Sequence, residues 1–152
     1  MNWHLKRHHF KSKNDAMGRA KKCHACLDCR HSQKETFKEC PECGGQNRQY
    51  FMSETEFKRG MMLLTLQQAG TITKLKFQPR YALKVNGRKI TTYIADAEYY
   101  EGEKLIVEDT KAPNTKFIDE TSKIKIALFE AIYGVNVKIP QRVKVDRQKS
   151  GL

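Results

Sequence analysis

The sequence predicts an α/β chain in which a small mixed sheet is flanked by helices and preceded by a compact cysteine-built module. Three observations lead there. From Ser53 to Ile139 the apolar periodicity runs in the order helix, three strands, helix, strand. Five cysteines crowd between Cys23 and Cys43, and none occurs elsewhere. The charge is concentrated at both ends. The boundaries that follow are a basic N-terminal arm over 1 to 22, the cysteine module over 23 to 50, a core over 51 to 140 and a basic C-terminal tail over 141 to 152.

The arm holds Lys6, Arg7, Lys11, Lys13, Arg19, Lys21 and Lys22 against Asp15 alone, so it supplies about half of the formal charge of +12. Trp3 and Phe10 are interleaved with these cations, a combination that tracks a phosphate backbone while stacking on bases. The tail repeats the theme with Arg142, Lys144, Arg147 and Lys149. A sequence pI near 9.6 points to a polyanionic partner, of which nucleic acid is the commonest. Apolar content is 39%, which limits the core to a small one. No apolar run is long enough to cross a bilayer and the N-terminus is polar, so no membrane partner and a cytoplasmic location are expected.

Residues 23 to 45 read C-H-A-C-L-D-C-R-H-S-Q-K-E-T-F-K-E-C-P-E-C-G-G. An odd number of cysteines in a chain without an export signal argues for metal rather than disulfides. Each C-x-x-C pair forms a knuckle that presents two thiolates, and two pairs close a tetrahedral Zn²⁺ site. The ligands expected are Cys26, Cys29, Cys40 and Cys43, with ten residues between Cys29 and Cys40. Cys23 is the alternative, since Cys23 and Cys26 share the same spacing; His24 and His31 are spare donors. The segment resembles the zinc ribbon that precedes the ATPase of bacterial recombination proteins, which binds nucleic acid or protein or staples a chain end.

The core opens with a helix from Ser53 as N-cap to Gly70 just past its end. Phe57, Met61, Leu64 and Gln68 recur at helical spacing, with Met62, Leu63 and Leu66 widening the apolar face. Ser53-x-x-Glu56 is a capping box, which predicts that Glu56 bonds back to the Ser53 amide. A strand follows from Ile72 to Val85, with Pro79 suiting an edge or a bulge. Asn86-Gly87 then turns the chain into a strand ending at Asp96, the middle one of a three-strand meander. Asp119 to Tyr133 reads as a second helix with Ile124, Ala127, Leu128, Ala131 and Ile132 on one side and Gly134 at its end. Val135 to Ile139 makes a short last strand.

Chemistry enters at residues 91 to 111, T-T-Y-I-A-D-A-E-Y-Y-E-G-E-K-L-I-V-E-D-T-K. With Gly102-Glu103 as a two-residue turn, Glu101 pairs with Lys104, and counting outward sets Asp96 opposite Asp109. Two carboxylates with β-carbons roughly 5 Å apart repel unless a cation sits between them, an arrangement suited to Mg²⁺. Side-chain alternation puts Lys111 on the face of Asp109 and Glu108 on the other, so spacing favours Asp109 over Glu108.

Taken in order, S-x-x-E opening a helix, L-K-F-Q-P-R-Y, Y-I-A-D-A-E-Y and V-E-D-T-K are similar to a family of small phage proteins related to endonuclease I, within the PD-(D/E)XK nuclease superfamily. The likeness covers about residues 51 to 140. It implies a restriction-endonuclease-like fold with Asp96 as the first acid, Asp109 and Lys111 as the (D/E)-x-K, and Glu56 as the helix-borne acid. Two departures stand out: Ala95 replaces the usual proline before the first acid, and Glu108 and Asp109 both offer themselves for one role. The resemblance implies hydrolysis of DNA phosphodiesters with Mg²⁺ or Mn²⁺ held by Asp96 and Asp109. It also implies a homodimer acting on branched DNA such as a four-way junction, in the bacterial cytoplasm if the chain is phage-encoded. The rival readings are a duplex-nicking or restriction-type nuclease, and a non-catalytic zinc-ribbon DNA-binding protein.

Overall fold

Two breaks, at Gln78-Pro79 and at Ala95-Asp96, divide what reads as a three-strand meander into five strands. The computed structural model describes residues 22 to 110 and 119 to 140, and its architecture is mixed α/β with small sheets and two helices. The first 21 residues of the basic arm, Lys111 and the C-terminal tail lie outside the described residues.

The cysteine module contributes β1 (Cys23–Cys26), β2 (Ser32–Gln33) and β3 (Arg48–Phe51), an antiparallel sheet in the order β2-β1-β3. Helix α1 (Glu54–Gln68) follows directly. Ser53 caps it by accepting from the Glu56 amide at 3.1 Å. The returning bond of the box lands one residue earlier than expected: Glu56 Oε2 accepts from the Met52 amide at 3.0 Å rather than from Ser53. Gly70, with φ of 77°, sits past the C-cap Ala69, in the left-handed conformation that glycine adopts without a Cβ penalty.

Strand β4 (Thr73–Phe77) ends where Gln78 takes a φ of 52° and Pro79 cannot donate to a ladder. Strands β5 (Arg80–Val85) and β6 (Arg88–Ile94) then form a two-stranded sheet of their own around the Asn86-Gly87 turn. After the bend at Ala95-Asp96 the chain enters β7 (Ala97–Glu101), which pairs with β4 and with β8 (Lys104–Glu108). Helix α2 (Glu120–Tyr133) stops at Gly134 in the left-handed conformation, and β9 (Val137–Lys138) lies parallel to β8. The main sheet is therefore mixed, in the order β4-β7-β8-β9.

Side-chain alternation along β8 builds a different core on each face. Toward α1, Ile106 joins Leu63, Ile72, Ala97 and Tyr99. Toward α2, Val107 joins Leu83, Tyr93, Ala95 and Phe129. The packed face of α2 is not the one the periodicity predicts. Of the expected face only Leu128 packs on the core; Ile124, Ala127, Ala131 and Ile132 are exposed, and Phe129 with Ile126 faces inward, because Phe129 fits a pocket of rings made by Tyr81, Tyr93 and Tyr133. On α1, Met62 likewise turns outward and Gly60 inward.

The module is tied to the core through Phe51, whose ring packs edge-on against Phe57 and Phe77. Gly60 makes this possible: a Cβ there would lie 2.6 Å from Phe51 Cε1. Arg30 to Gln68 and Gln78 to the Tyr50 carbonyl add cross-module hydrogen bonds of 2.8 and 2.9 Å.

Candidate metal centre and acidic cleft

The two knuckles have the same backbone design. In each, the residue after the second cysteine donates its amide to the carbonyl of the first, Arg30 to Cys26 at 2.9 Å and Gly44 to Cys40 at 2.8 Å. Both residues take positive φ, 66° and 72°. Glycine meets that demand freely in the second knuckle, and Arg30 meets it at a cost in the first. The result brings Cys26, Cys29, Cys40 and Cys43 together with all sulfurs within 4.8 Å of one another. Cys26 to Cys43 is 3.6 Å and Cys29 to Cys40 is 3.5 Å. Tetrahedral Zn²⁺ with bonds near 2.3 Å separates its sulfurs by roughly 3.8 Å, so the donor set fits a structural zinc ion.

Cys23 does not join them. It alternates with Ala25 on β1 and is buried with Ala25 and Phe51 at the junction with the core, where burial pushes its thiol above the ordinary range. His24 packs on Tyr50, and His31 bonds Gln33 at 3.0 Å; neither reaches the sulfur cluster.

The acidic residues meet at the end of the main sheet where β6 passes into β7. The hairpin register is the one counted from the turn as far as Ala97 with Glu108. Beyond it no ladder pair joins Asp96 to Asp109 as the count predicted: Asp96 lines a cleft with Glu108 and Thr110, and Asp109 lines another. Asp96 is held at every backbone polar group: its amide donates to the Glu108 carbonyl at 3.0 Å, and its own carbonyl accepts from Gln78 at 2.9 Å. Its Oδ2 accepts from the Thr110 amide at 2.5 Å. Asp96, Glu56, Arg59, Gln78, Glu108 and Thr110 line one narrow cleft between α1 and the sheet. Its free volume is about 10 Å³, the size of one water or ion rather than of a substrate.

Glu108 and Asp109 point to opposite sides of β8. Glu108 is fully buried toward α1 and accepts from Arg59 Nε at 2.9 Å and Nη2 at 2.5 Å, and from the Tyr99 hydroxyl at 2.5 Å. The hydrogen bond to Glu108 raises the Arg59 pKa, so the guanidinium stays charged. Asp109 faces α2, accepts from the Tyr93 hydroxyl at 3.1 Å and lines a second cleft with Thr92, Ile94, Ser122 and Lys125. Burial pushes the Tyr93 hydroxyl well up, and both Asp109 and Asp96 push it further. Asp96 and Asp109 line different clefts, and both act on the Tyr93 hydroxyl.

Comparison with family models, with curated proteins and with solved structures returned no match.

The structure thus brings Glu56 and Asp96 into one cleft, places Glu108 in that cleft already paired, and leaves Asp109 in a second cleft on the other face of β8. Arg59, Tyr99, Tyr93 and Gln78 escaped the reading of the sequence. Arg59 carries a local signal, since it follows Glu56 by three residues and so shares its helix face. The tyrosines carry none, because their partners lie on other strands or across a register that only the sheet defines. Among the described residues the four cysteines are the one preformed group of three or more metal-type ligands. Sparse carboxylates still suit Mg²⁺, which keeps several waters and takes one or two carboxylates with substrate phosphate completing its shell.

Proposed function

We propose that the chain is a metal-dependent endodeoxyribonuclease with a restriction-endonuclease-like core and a structural zinc ribbon. The observation that carries this reading is the convergence of Glu56 from α1 and Asp96 from the β6-β7 bend on one ion-sized cleft, with Asp109 in a second cleft on the other face of β8. Acids from a helix and from two strands, on a strongly basic chain, are what phosphodiester hydrolysis asks for.

Bound at these carboxylates, Mg²⁺ or Mn²⁺ supplies Lewis acidity and a lowered pKa for an attacking water. Asp96 would hold the ion with Asp109 or Glu56 as second ligand. Glu108 is disfavoured as a ligand because Arg59 neutralises it and both its oxygens already accept hydrogen bonds. Lys111 keeps the role that the resemblance implies, orienting the water or countering the developing charge. Branched DNA cut by a homodimer is the substrate proposed: one chain carries one such site, and two strands cut in register need two related by a twofold axis.

The deciding experiment incubates purified protein with supercoiled, linear, single-stranded and four-way-junction DNA, each with Mg²⁺, with Mn²⁺ and with chelator. Metal-dependent cleavage that disappears in Asp96→Ala while DNA binding persists is expected, with the junction cut fastest. Equal rates on junction and plain duplex would transfer the reading to a duplex-nicking enzyme. A wild-type protein that binds DNA but cuts none of the four would leave a non-catalytic zinc-ribbon DNA-binding protein.

A further inference from the structure

The β5-β6 hairpin is a basic surface that neither the zinc site nor the cleft uses. Residues 80 to 94 contain Arg80, Lys84, Arg88 and Lys89 and no acid. All four cations are exposed, and none has an ion pair among the described residues.

Register makes the arrangement specific. Lys84 lies directly opposite Lys89, because an irregularity after Leu83-Thr91 leaves Ile90 as the extra, exposed residue. Like charges directly opposed in a sheet are destabilising, so folding alone gives no reason for the pair. Tyr81 and Leu83 face Phe129 of α2, so alternation turns Arg80 and Lys84, with Lys89 across from it, to the other face. Arg88 follows at the tip beside the Asn86-Gly87 turn.

The hairpin is also rooted in the cleft. Gln78 and Asp96, which bracket it in the chain, bond to each other through the Gln78 amide and the Asp96 carbonyl at 2.9 Å, and both line the acidic cleft. From that root the strands extend about 20 Å at ~3.3 Å per residue, the axial length of about six base pairs.

We infer that the β5-β6 hairpin is a duplex-DNA-binding arm, on which the backbone phosphates flanking the strand position held at Asp96 rest against Arg80, Lys84, Lys89 and Arg88. This rests on the proposed reading of the chain as acting on DNA. It adds where the duplex runs and which side chains carry it. The contacts are to phosphate, so binding through them is independent of base sequence and strongly salt-dependent.

The test compares wild type, Lys84→Ala/Lys89→Ala and a control, Lys74→Ala/Lys104→Ala, that removes two exposed cations at the far end of β7 and β8 from Asp96. Affinity for a short DNA duplex is measured against salt without added Mg²⁺ or Mn²⁺, and cleavage is measured separately with either metal. The hairpin variant should lose on the order of tenfold to a hundredfold in affinity at 0.1 M salt, and its log-log salt slope should fall by about 2, close to 0.9 per lost phosphate contact. The control should keep the wild-type slope. Thermal unfolding of the hairpin variant should be unchanged or later, since a like-charge pair has been removed.

Equal slopes for the two variants would overturn the inference even if wild type cleaves DNA. So would tighter binding of wild type to single strands than to duplex, or to duplex RNA than to duplex DNA. A lowered slope in the hairpin variant alone, with no cleavage by wild type under any metal, would uphold the arm and overturn the nuclease. Wild type that binds no nucleic acid would overturn both.

Discussion

Arg59 grips Glu108 through two parallel hydrogen bonds, Nε to Oε2 at 2.9 Å and Nη2 to Oε1 at 2.5 Å, and so clamps α1 onto β8 from inside the protein. Glu108 has no exposed surface, and its Oε1 also accepts from Tyr99. A carboxylate this deep is tolerated because every lone pair facing the guanidinium has a donor. The consequence reaches the cleft: Glu56 lies one turn before Arg59 on the same helix face, so the clamp sets the height of Glu56 relative to Asp96.

Breaking the clamp from one side should be costly. Arg59→Ala leaves a buried carboxylate with only the Tyr99 hydroxyl and the more distant Lys138 ammonium, 3.8 Å away, and is expected to destabilise the protein by about 3 kcal/mol. Tyr99→Phe removes one donor and should cost about 1 to 3 kcal/mol. Urea unfolding of each variant checks both figures. An Arg59→Ala protein as stable as wild type would mean that the pair is solvated rather than buried.

The adjacent acids should separate fold from chemistry. Asp109→Asn keeps the shape and the acceptor for Tyr93, so its thermal unfolding should stay near wild type while metal-dependent cleavage is lost. Glu108→Gln should instead lower the unfolding temperature, and, on the proposed nuclease reading, the protein that remains folded should still cleave. Reversed outcomes in paired melting and cleavage assays would make Glu108 the metal ligand.

One zinc ion per chain is expected on elemental analysis. Cys40→Ser, or removal of the ion by chelator, should unfold the module, since thiolate coordination supplies most of the folding energy of such a ribbon. Cys23→Ser should retain a full equivalent of zinc, because Cys23 packs against Ala25 and Phe51 rather than beside the other sulfurs.

Gly60→Ala pits two effects against each other. Alanine gains about 1 kcal/mol in helix propensity, but its Cβ would meet the edge of Phe51 at 2.6 Å, and overpacking of this kind costs about 1 to 3 kcal/mol. Net destabilisation, with loosening between the cysteine module and α1 visible as faster amide exchange in β3, is the expected outcome. A more stable variant would show that Phe51 moves freely.

Local patterns in the sequence determined the parts whose causes are local. Two C-x-x-C knuckles, the Ser53 cap, the Asn86-Gly87 and Gly102-Glu103 turns and the left-handed stop at Gly134 each depend on residues a few positions apart. The turn at Gly102 even carried the register as far as Ala97 opposite Glu108. Tertiary structure decided what depends on partners distant in the chain. Pro79 and the bend at Ala95 split long strands between two sheets, and no residue near either break specifies where the freed edge will pair. The inward face of α2 was chosen by Phe129 fitting among Tyr81, Tyr93 and Tyr133 rather than by the count of aliphatic residues. Cys23 had the spacing of a ligand, yet packing against Phe51 assigned it to the core. The environments of Glu108 and Asp109 were likewise decided in space: alternation separates their faces, but only the packing of α1, β7 and β6 supplies Arg59 and Tyr99 to one and Tyr93 to the other.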